Sequence, residues 1–450
     1  MSISPVHPRY GKRILQVEPF GVEAVAAEER HGGVGGQFTL WLGSNLTIAD
    51  FALGFLPISL GLPWSWTIAS ILLGNVLGAL LLGGCAAMGP SYGTPQLIIG
   101  RFTFGRIGNF LPALLNYVST IGWFTVNNIL GSFGLRVLFP ALAFWEASIL
   151  LVFVQSALAI YGHNLIHTYE RVMSVVLGIV FAVATVISLT HGTALASYHP
   201  AHTALWPMFA IMVASAFSYI GSWGPYASDY SRYLPADTSR AKIIGAVFWG
   251  SFLSSVWLEL VGAAVAVLAG SSSADPIAAL HAVMGGFGAV AVVAIILGGT
   301  AADALNLYSN ALTAGALGLQ IPRAWLTAVA GVLGLVLSLL GEGRFEQNYS
   351  NFLLMLGYWM TPWAGVLLVD FYVWRRYQAR ELDTRNRQSI FWPGLISFLI
   401  GIVVSLPFMD GPFYEGPVSK ALGGADLTFY VGFLVAGLVY ALLTRRRYAI

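Results

Sequence analysis

Charge is the first thing that this 450-residue chain lacks. Asp, Glu, Lys and Arg make up only 9% of its residues, whereas 57% are hydrophobic. A typical soluble domain carries roughly 25% charged residues, so the composition indicates an integral membrane protein rather than one surrounded by water. The net charge of +2 is too small to indicate a nucleic-acid partner, and we expect none.

Cysteine is nearly absent as well, since Cys85 is the single one. One cysteine excludes a disulfide framework and a cysteine-based metal site. His163 and His167 lie four residues apart, but no other clustered ligand supports a metal there, so we expect neither a metal site nor a cofactor. The P-loop pattern is also missing, which excludes an ATP-driven pump. Membrane lipid is the expected surrounding, and no obligatory protein partner is evident.

Apolar sequence, by contrast, occurs in runs of about 20 residues, the length that a helix needs to cross a bilayer. Twelve spans are predicted, at 38–60, 64–88, 109–137, 141–160, 172–190, 205–226, 243–269, 285–307, 324–341, 350–374, 391–408 and 428–444. Residues 1–37 are polar and are interpreted as a cytoplasmic N-terminal tail without a cleavable signal. The sequence thus predicts an all-α integral membrane protein with twelve transmembrane helices.

The distribution of basic residues tests this count, because cytoplasmic loops carry an excess of Lys and Arg. With the N-terminus placed in the cytoplasm, 19 of the 22 basic residues fall in cytoplasmic segments, and only Arg136, Arg344 and Lys420 fall outside. A miscounted helix would invert every later loop and remove this bias. We therefore expect a multi-pass protein of the plasma (inner) membrane with both termini cytoplasmic.

Two predicted spans are interrupted. The first contains Gly43, Ser44 and Asn45 in "LWLGSNLTIAD", and the sixth contains two glycines and a proline in "YIGSWGPYASD". A single glycine can simply permit close packing, but interrupted helices at matching positions of two halves are typical of inverted-repeat transporters with a midplane site. This pattern divides the chain into a first repeat at 38–190, a second at 205–374 and two additional spans at 391–444.

Several longer motifs carry a family resemblance. The segments "VEPFGVEAVAAEERHG", "LWLGSN", "RFTFGRIGNFLPALLNYVSTIGWFTVNNILG", "YGHNLIHTYERV", "SDYSRYLP" and "NLYSNAL" resemble those of the nucleobase:cation symporter-1 family, the purine–cytosine permease group. The resemblance implies a five-plus-five inverted repeat of the amino-acid transporter (LeuT-like) type with two additional C-terminal helices. It also implies uptake of nucleobases, hydantoins, allantoin or vitamin-like heterocycles, driven by Na⁺ or H⁺.

The third span carries a candidate pair of substrate ligands. Trp123 and Asn127 lie four residues apart and so share one face of a helix. An indole ring can stack on a flat heterocycle, and an amide offers both donors and an acceptor. The resemblance places a stacking tryptophan and an amide ligand at these two positions. Trp123 could instead be a packing aromatic, and the adjacent Asn128 is interpreted as structural.

The breaks in the first and sixth spans supply further candidates. Residues expected near the substrate on the sixth span are Ser218, Tyr219, Ser222 and Trp223. The resemblance implies an aromatic residue in this segment, and the sequence leaves open whether it is Tyr219 or Trp223. Asn45 in the first break is expected either to contact substrate or to stabilise the unwound turn.

Asp303 and Asn306 lie about one turn apart on the eighth span, and an ionisable residue within a membrane is a functional-site hypothesis by default. Here the chain departs from its family, because Na⁺-coupled members carry hydroxyl residues just before the position that aligns with Asp303. This chain has Ala301 and Ala302 there, with Thr300 the only nearby hydroxyl. A hard cation prefers several oxygen ligands, so the expected Na⁺ site is in doubt.

Three roles for Asp303 therefore stay open. It can carry a coupling proton, complete a Na⁺ site together with backbone oxygens at Gly43, Ser44 and Leu46, or contact a polar or cationic substrate. Proton coupling is the favoured expectation. Asp50 and Glu259 are further intramembrane carboxyl groups, interpreted as structural partners across a helix interface or as proton relays.

Asp229 and Arg232 lie in "SDYSRYLP" at the cytoplasmic end of the sixth span. The resemblance implies that this motif forms part of an inner gate, and the alternative is a surface ion pair. The overall hypothesis is a secondary symporter that imports a planar nitrogen heterocycle by alternating access. A transporter of the same fold for amino acids is the alternative, and a membrane-embedded enzyme is a remote one, because no catalytic constellation is evident.

Overall fold

The computed structural model describes residues 21–161, 163–200, 205–270, 275–319, 321–374, 389–411 and 413–448. Most of the predicted N-terminal tail and the basic segment at 375–388 lie outside the described residues. Helices of the first half are Val34–Asn45 (α1), Ile48–Leu53 (α2), Leu56–Ser59 (α3), Trp64–Ala86 (α4), Gly89–Tyr92 (α5), Gln96–Phe104 (α6), Phe110–Leu138 (α7), Phe144–Tyr161 (α8), His163–Thr190 (α9) and Gly192–Ala196 (α10).

The second half continues in the same manner. Its helices are Leu205–Gly221 (α11), Ala227–Ser231 (α12), Arg240–Leu268 (α13), Pro276–Met284 (α14), Gly288–Ala316 (α15), Arg323–Gly341 (α16), Phe345–Leu368 (α17), Trp392–Ser405 (α18), Pro417–Ala421 (α19) and Thr428–Tyr448 (α20). A π-helical turn, Val369–Trp374, follows α17. Short 3-10 turns lie at Ala27–Glu29, Gly224–Tyr226, Gly285–Phe287, Glu342–Arg344 and Leu406–Phe408. Two short strands, Asp410–Gly411 (β1) and Tyr414–Glu415 (β2), pair antiparallel.

Each of the twelve predicted spans overlaps one or more of these helices. Within the described residues, seven helical stretches are long and apolar enough to cross a membrane, or eight if Val34–Asn45 and Ile48–Ser59 form one bent span. One of the seven, Trp325–Trp374, contains both α16 and α17. The all-α, multi-pass membrane fold is thus confirmed, whereas the count of twelve stays a prediction.

Two boundaries differ from the prediction. Helix α9 begins at His163, nine residues before the predicted start at 172, so most of "YGHNLIHTYERV" is helical rather than a loop. The helix can extend because its polar side chains are buried against protein: Asn164 and Glu170 are buried, and Asn164 Oδ1 lies 3.1 Å from His31 Nε2. A prediction from hydropathy alone assigns such a polar helical segment to a loop.

The first break also lies later than predicted. Gly43, Ser44 and Asn45 are the last residues of α1, and the chain leaves the helix at Leu46 and Thr47, where the two helical parts meet at 55°. The side chain of Thr47 then accepts a hydrogen bond from the Asp50 amide and caps α2. In the sixth span, α11 ends at Gly221 and α12 begins at Ala227. Both predicted interruptions are therefore present.

The broken helices lie in the middle of the bundle. Helices α4 and α13 pack against each other; α4 also packs against α11 and α12, and α13 packs against α1 and α2. Helices α7 and α15 pack extensively against each other and both contact α2. Large apolar side chains remain exposed on the outside of the bundle, among them Phe153, Leu189 and Leu340. Such a surface suits lipid, and it leaves the polar side chains around the two breaks in the interior.

Two glycines let α2 and α13 approach at backbone distance. A Cβ atom at Gly54 would lie 2.1 Å from the carbonyl oxygen of Glu259, and one at Gly262 would lie 2.1 Å from the carbonyl oxygen of Phe51. Small residues permit this kind of close packing between membrane helices. Because of this close approach, the side of α2 that carries Asp50 faces the side of α13 that carries Glu259.

We expect Gly262→Ala to destabilise the protein by about 1–3 kcal/mol, because the added methyl group overlaps a backbone oxygen and forces α2 and α13 apart. The control is Gly245→Ala on the same helix, where an added Cβ meets no atom within 4 Å. Thermal unfolding of the detergent-purified variants measures the effect. Equal melting midpoints for the two variants would contradict this account of the α2–α13 contact.

Candidate functional site

Trp123 lies at the centre of the bundle, on α7, and its side chain is only 5% exposed. Three aromatic rings contact the indole edge to face: Tyr219 of α11 at a centroid distance of 5.3 Å, Phe352 of α17 at 5.3 Å and Tyr349 of α17 at 6.2 Å. Tyr219 and Trp123, which the sequence predicted as substrate ligands from different spans, are thus brought together. The aromatic rings close this site in the present conformation.

A chain of polar side chains continues from Trp123 toward α15. Asn127 Nδ2 donates to Asp303 Oδ1 at 3.1 Å and also to the carbonyl oxygen of Trp123 at 3.2 Å. Asn306 follows Asp303 by about one turn of α15, and its Oδ1 accepts from the Tyr226 hydroxyl at 3.1 Å. The predicted pair Trp123–Asn127 and the predicted pair Asp303–Asn306 therefore form one site.

Several polar atoms in this site have no hydrogen-bond partner among the described residues. They are the Trp123 indole nitrogen, Asn127 Oδ1, Asp303 Oδ2, Asn306 Nδ2 and the Ser218 hydroxyl. Buried polar groups are normally hydrogen-bonded, because leaving one unpaired costs about 1–3 kcal/mol. A set of donors and acceptors left open around one indole ring is suited to a small, flat, polar ligand.

Tyr219 and Trp223, the two aromatic candidates of the sixth span, lie in different surroundings. Tyr219 contacts Trp123, whereas the Trp223 indole donates to Asn45 Oδ1 at 3.1 Å and packs on Trp41. Asn45 Nδ2 in turn donates to the Trp41 carbonyl at 2.8 Å. The Asn45 side chain therefore links the two breaks.

Ser222 is occupied locally, because its hydroxyl donates to the carbonyl oxygen of Tyr219 at 2.8 Å. The predicted Ser222 contact with substrate thus competes with a bond inside its own helix. Ser218, one turn earlier, keeps an open hydroxyl as noted above.

The position considered for Na⁺ lies between the first break and α15. A Cβ at Gly298 would lie 3.3 Å from the carbonyl oxygen of Leu46, so the break and α15 approach each other there. The one hydroxyl nearby, Thr300, donates to the Ile296 carbonyl at 2.8 Å, and Ala301 and Ala302 have none. Ser44 likewise donates to the Leu40 carbonyl at 2.7 Å. Donating hydroxyls keep their oxygen lone pairs, so it is Ala301 and Ala302 that leave this position short of side-chain oxygens, and a Na⁺ ion here would depend largely on backbone carbonyls such as that of Leu46.

Asp229 and Arg232 are both buried, which excludes the surface ion pair considered above. Asp229 Oδ1 accepts from the Gln96 amide at 2.9 Å, which ties α12 to α6. Arg232 donates to the carbonyl of Gly21 at 2.7 Å and to the hydroxyl of Tyr308 at 3.1 Å. This end of the bundle is therefore closed by charge-assisted hydrogen bonds from the motif predicted to form the inner gate.

One buried carboxyl group was missed by sequence reasoning. Glu170 lies in the part of α9 that was predicted as a loop, and neither carboxyl oxygen has a hydrogen-bond partner among the described residues. A Cβ at Gly43 would lie 2.5 Å from Glu170 Oε2, so the carboxyl group lies beside the end of α1. In the sequence, Gly43 indicates that another part of the chain approaches closely, but it does not indicate that the neighbour is Glu170.

The described residues contain no group of three or more His, Cys, Asp or Glu side chains that could hold a metal ion. Two broken helices around an interior polar site, with closing contacts at one end, are features of a membrane transporter rather than an enzyme. Comparison with known proteins agrees with this class. Residues 24–432 match the model of the family described as permease for cytosine/purines, uracil, thiamine and allantoin.

The chain belongs to this cytosine/purine permease family. The putative purine-cytosine permease YxlA of Bacillus subtilis is 31% identical over 445 residues, covering 96% of this chain and 97% of the relative. The purine-cytosine permease fcyB of Emericella nidulans is 26% identical, with 95% of this chain and 88% of the relative covered. The resemblance stated from the motifs is therefore confirmed.

A solved structure shares the fold. Mhp1, a nucleobase-cation-symport-1 family transporter, in a closed conformation with bromovinylhydantoin bound, superposes with a TM-score of 0.79 at 19% identity. The match covers 96% of this chain and 95% of Mhp1. The predicted LeuT-like transporter fold is thereby confirmed, while the exact repeat boundaries stay predictions.

We expect Arg232→Ala to open the inner end of the bundle, because the carbonyl of Gly21 and the hydroxyl of Tyr308 each lose a charged donor. A hydrogen bond to a charged group contributes about 1.5–3 kcal/mol, so the open population rises about tenfold or more. The measurement is the rate at which a thiol reagent labels Ser309→Cys in a Cys85→Ser background. The control is Lys242→Ala, an exposed residue, and equal labelling rates in both backgrounds would contradict the gate assignment.

Proposed function

We propose that this protein is a secondary active symporter that imports a nucleobase or a closely related planar nitrogen heterocycle by alternating access. The observation that carries the proposal is the site formed by Trp123, Asn127 and Asp303 between two broken helices, with unpartnered donors and acceptors around one indole ring. The names of the relatives, purine-cytosine permeases, support the same substrate class.

In the proposed complex the heterocycle stacks on the Trp123 indole and displaces one of the aromatic edges that now cover it. Asn127 Oδ1 and Asp303 Oδ2 accept hydrogen bonds from a ring N–H or an amino group, and Asn306 Nδ2 donates to a carbonyl oxygen. Cytosine and the oxopurines, such as hypoxanthine, carry both kinds of group on one flat ring system. A site that satisfies its own buried polar atoms only with the correct pattern rejects analogues that lack it.

The proposed coupling ion is H⁺. This choice is supported by Ala301 and Ala302, which supply no side-chain oxygen at the position near Leu46 and Gly298 and so leave few ligands for Na⁺. Asp303 accepts a hydrogen bond from the side-chain amide of Asn127. We therefore propose that this carboxyl group binds substrate, and not that it carries the coupling proton, the role favoured from the sequence. The importing direction and the plasma membrane location with cytoplasmic termini are part of the proposal, supported by the asymmetry of basic residues.

Uptake into proteoliposomes tests the function directly. We expect radiolabelled cytosine or hypoxanthine to accumulate when the lumen is made alkaline in Na⁺-free buffer, because an inward proton gradient then drives symport. The control is the same vesicle with the gradient collapsed by a protonophore. Transport that requires Na⁺ would overturn the coupling assignment, and no transport of cytosine, purines, hydantoins or allantoin would overturn the function.

Variants of two neighbouring asparagines distinguish an effect on substrate binding from an effect on stability. Asn127→Ala should weaken cytosine binding about tenfold or more, because it leaves a substrate N–H and Asp303 without their partner. Asn128 instead bonds Ser148 on α8, so Asn128→Ala should lower the melting midpoint while leaving the affinity close to wild type. Calorimetric titration and thermal unfolding of both variants measure this contrast. Wild-type affinity in Asn127→Ala would exclude this amide from the site.

A further inference from the structure

Asp50 and Glu259 lie against each other in the interior, away from the polar chain of the substrate site. Gly54 follows Asp50 by four residues and directly follows α2, with the backbone still helical, so the two residues lie on the same face. That face contacts the backbone of α13 at Glu259. The two carboxyl groups lie close enough to influence each other electrostatically, with Ser255 and Asn75 beside them, although none of these contacts is a hydrogen bond of normal geometry. Both carboxyl side chains are fully buried.

No positively charged side chain of the described residues compensates this pair. None of the four carboxyl oxygens, nor the Ser255 hydroxyl, forms a hydrogen bond to another described residue. Tyr219 of α11 and Tyr349 of α17 are the other titratable groups that face the pair. The remaining helices packed on α2 and α13, namely α1, α3, α4, α7, α9, α10, α14 and α15, bring no described Lys, Arg, His or further acidic side chain into interaction with it.

Two ionised carboxylates side by side in an apolar interior are strongly unfavourable, because each is desolvated and each repels the other. One proton placed between them converts two lone acceptors into a donor–acceptor pair and satisfies both groups. The pair therefore requires at least one bound proton. A second proton is the one that can be taken from water or returned to it.

The pair is mechanically connected to the substrate site. Thr47, which caps the helix that carries Asp50, lies 2.8 Å from the Tyr219 hydroxyl. The Tyr349 hydroxyl donates to the carbonyl of Ala49 at 3.0 Å, one residue before Asp50. Both tyrosines contact the Trp123 ring. Hydrogen bonds thus connect α2 and its capping residue to two of the aromatic rings that cover Trp123.

A small cavity lies on the side of the α2–α13 contact that carries Ala52 and Leu53. The cavity is lined by Ala52 and Leu53 of α2, Ala266 of α13, Pro276 of α14 and Tyr349 of α17. Under the predicted topology α2 is the outer half of the first span, so this cavity faces the outside. Neither Asp50 nor Glu259 lines this cavity, so it marks the side from which we expect outer protons to approach and is not itself a continuous path.

We propose that Asp50 and Glu259 form the proton-binding site that couples transport to the proton gradient, an inference that rests on the proposed symport. The loaded pair is neutral, with both carboxyl groups protonated, and the unloaded pair is a monoanion that shares one proton. Loading takes one proton from the outer water onto a carboxylate oxygen, and unloading returns it to the cytoplasmic water. The neutral pair lets α2 close on α13 and keeps the aromatic rings over bound substrate.

Comparing exchange with accumulation tests the proposal in proteoliposomes. Exchange of radiolabelled cytosine against internal cytosine needs binding and alternation but no net proton movement, whereas accumulation needs coupling. Glu259→Gln and Asp50→Asn should retain exchange and lose accumulation driven by the pH gradient, so that internal and external cytosine become equal. By linkage, cytosine affinity should weaken with rising pH in the wild type and become independent of pH in the variants. The control is Glu342→Gln, an exposed acid, which should accumulate like the wild type.

Other outcomes count against the proposal. A folded variant that still accumulates cytosine, or one that loses exchange together with accumulation, would overturn the coupling role. If either single variant fails to fold, the double variant Asp50→Asn/Glu259→Gln replaces it, because two carboxamides can bond each other without a proton.

If the wild type neither exchanges nor accumulates cytosine or hypoxanthine, the proposed function fails rather than the proton site. The bound proton is then measured by infrared spectroscopy of ligand-free protein. The band of protonated carboxyl groups should weaken in the double variant, and an unchanged band would overturn the proton site itself.

Discussion

Two hydrogen bonds between the broken helices hold the centre of this molecule together. The Trp223 indole donates to Asn45, and the Thr47 hydroxyl bonds the hydroxyl of Tyr219. Inside a bilayer a chain can leave the helical conformation only where protein satisfies its polar groups, and here each break is stabilised by side chains of the other. The geometry of the proposed substrate site therefore depends on the relative position of the two breaks, which these two hydrogen bonds connect.

Buried acids without a cationic partner are the second theme of the interior. Asp303 is partly satisfied by Asn127, whereas Asp50, Glu259 and Glu170 have no hydrogen-bond partner among the described residues. Such groups are costly in an apolar core and are retained in membrane proteins mainly for function. In the proposed mechanism these acids have two roles: Asp303 binds substrate, and the Asp50–Glu259 pair binds the coupling proton.

Much of the architecture was predictable from sequence, because hydropathy, glycine placement and the basic residues act over whole helices. The predicted spans overlap helices, both interruptions are present, and the motifs identified the family correctly. What failed was local: the break lies at Leu46–Thr47 instead of Gly43–Asn45, and α9 begins at His163 because protein rather than water surrounds its first turns. Hydropathy cannot distinguish these two surroundings.

The site itself was predictable only within single helices. The i, i+4 relation of Trp123 and Asn127 follows from helix geometry, but the bond from Asn127 to Asp303 joins residues 176 positions apart. The choice between Tyr219 and Trp223, and the meeting of Asp50 with Glu259, likewise depend on how helices rotate and pack against each other. The glycines at 54 and 262 mark that contact, yet only the structure pairs them.

The most direct measurement of the central claim is an experimental structure of the protein with cytosine or hypoxanthine bound. The account predicts a heterocycle stacked on the Trp123 indole, within hydrogen-bond distance of Asn127 and Asp303, with Asn45 still bonded to Trp223. A base bound elsewhere, or one in this cavity that leaves Asn127 bonded only to Asp303 and Trp123, would contradict it.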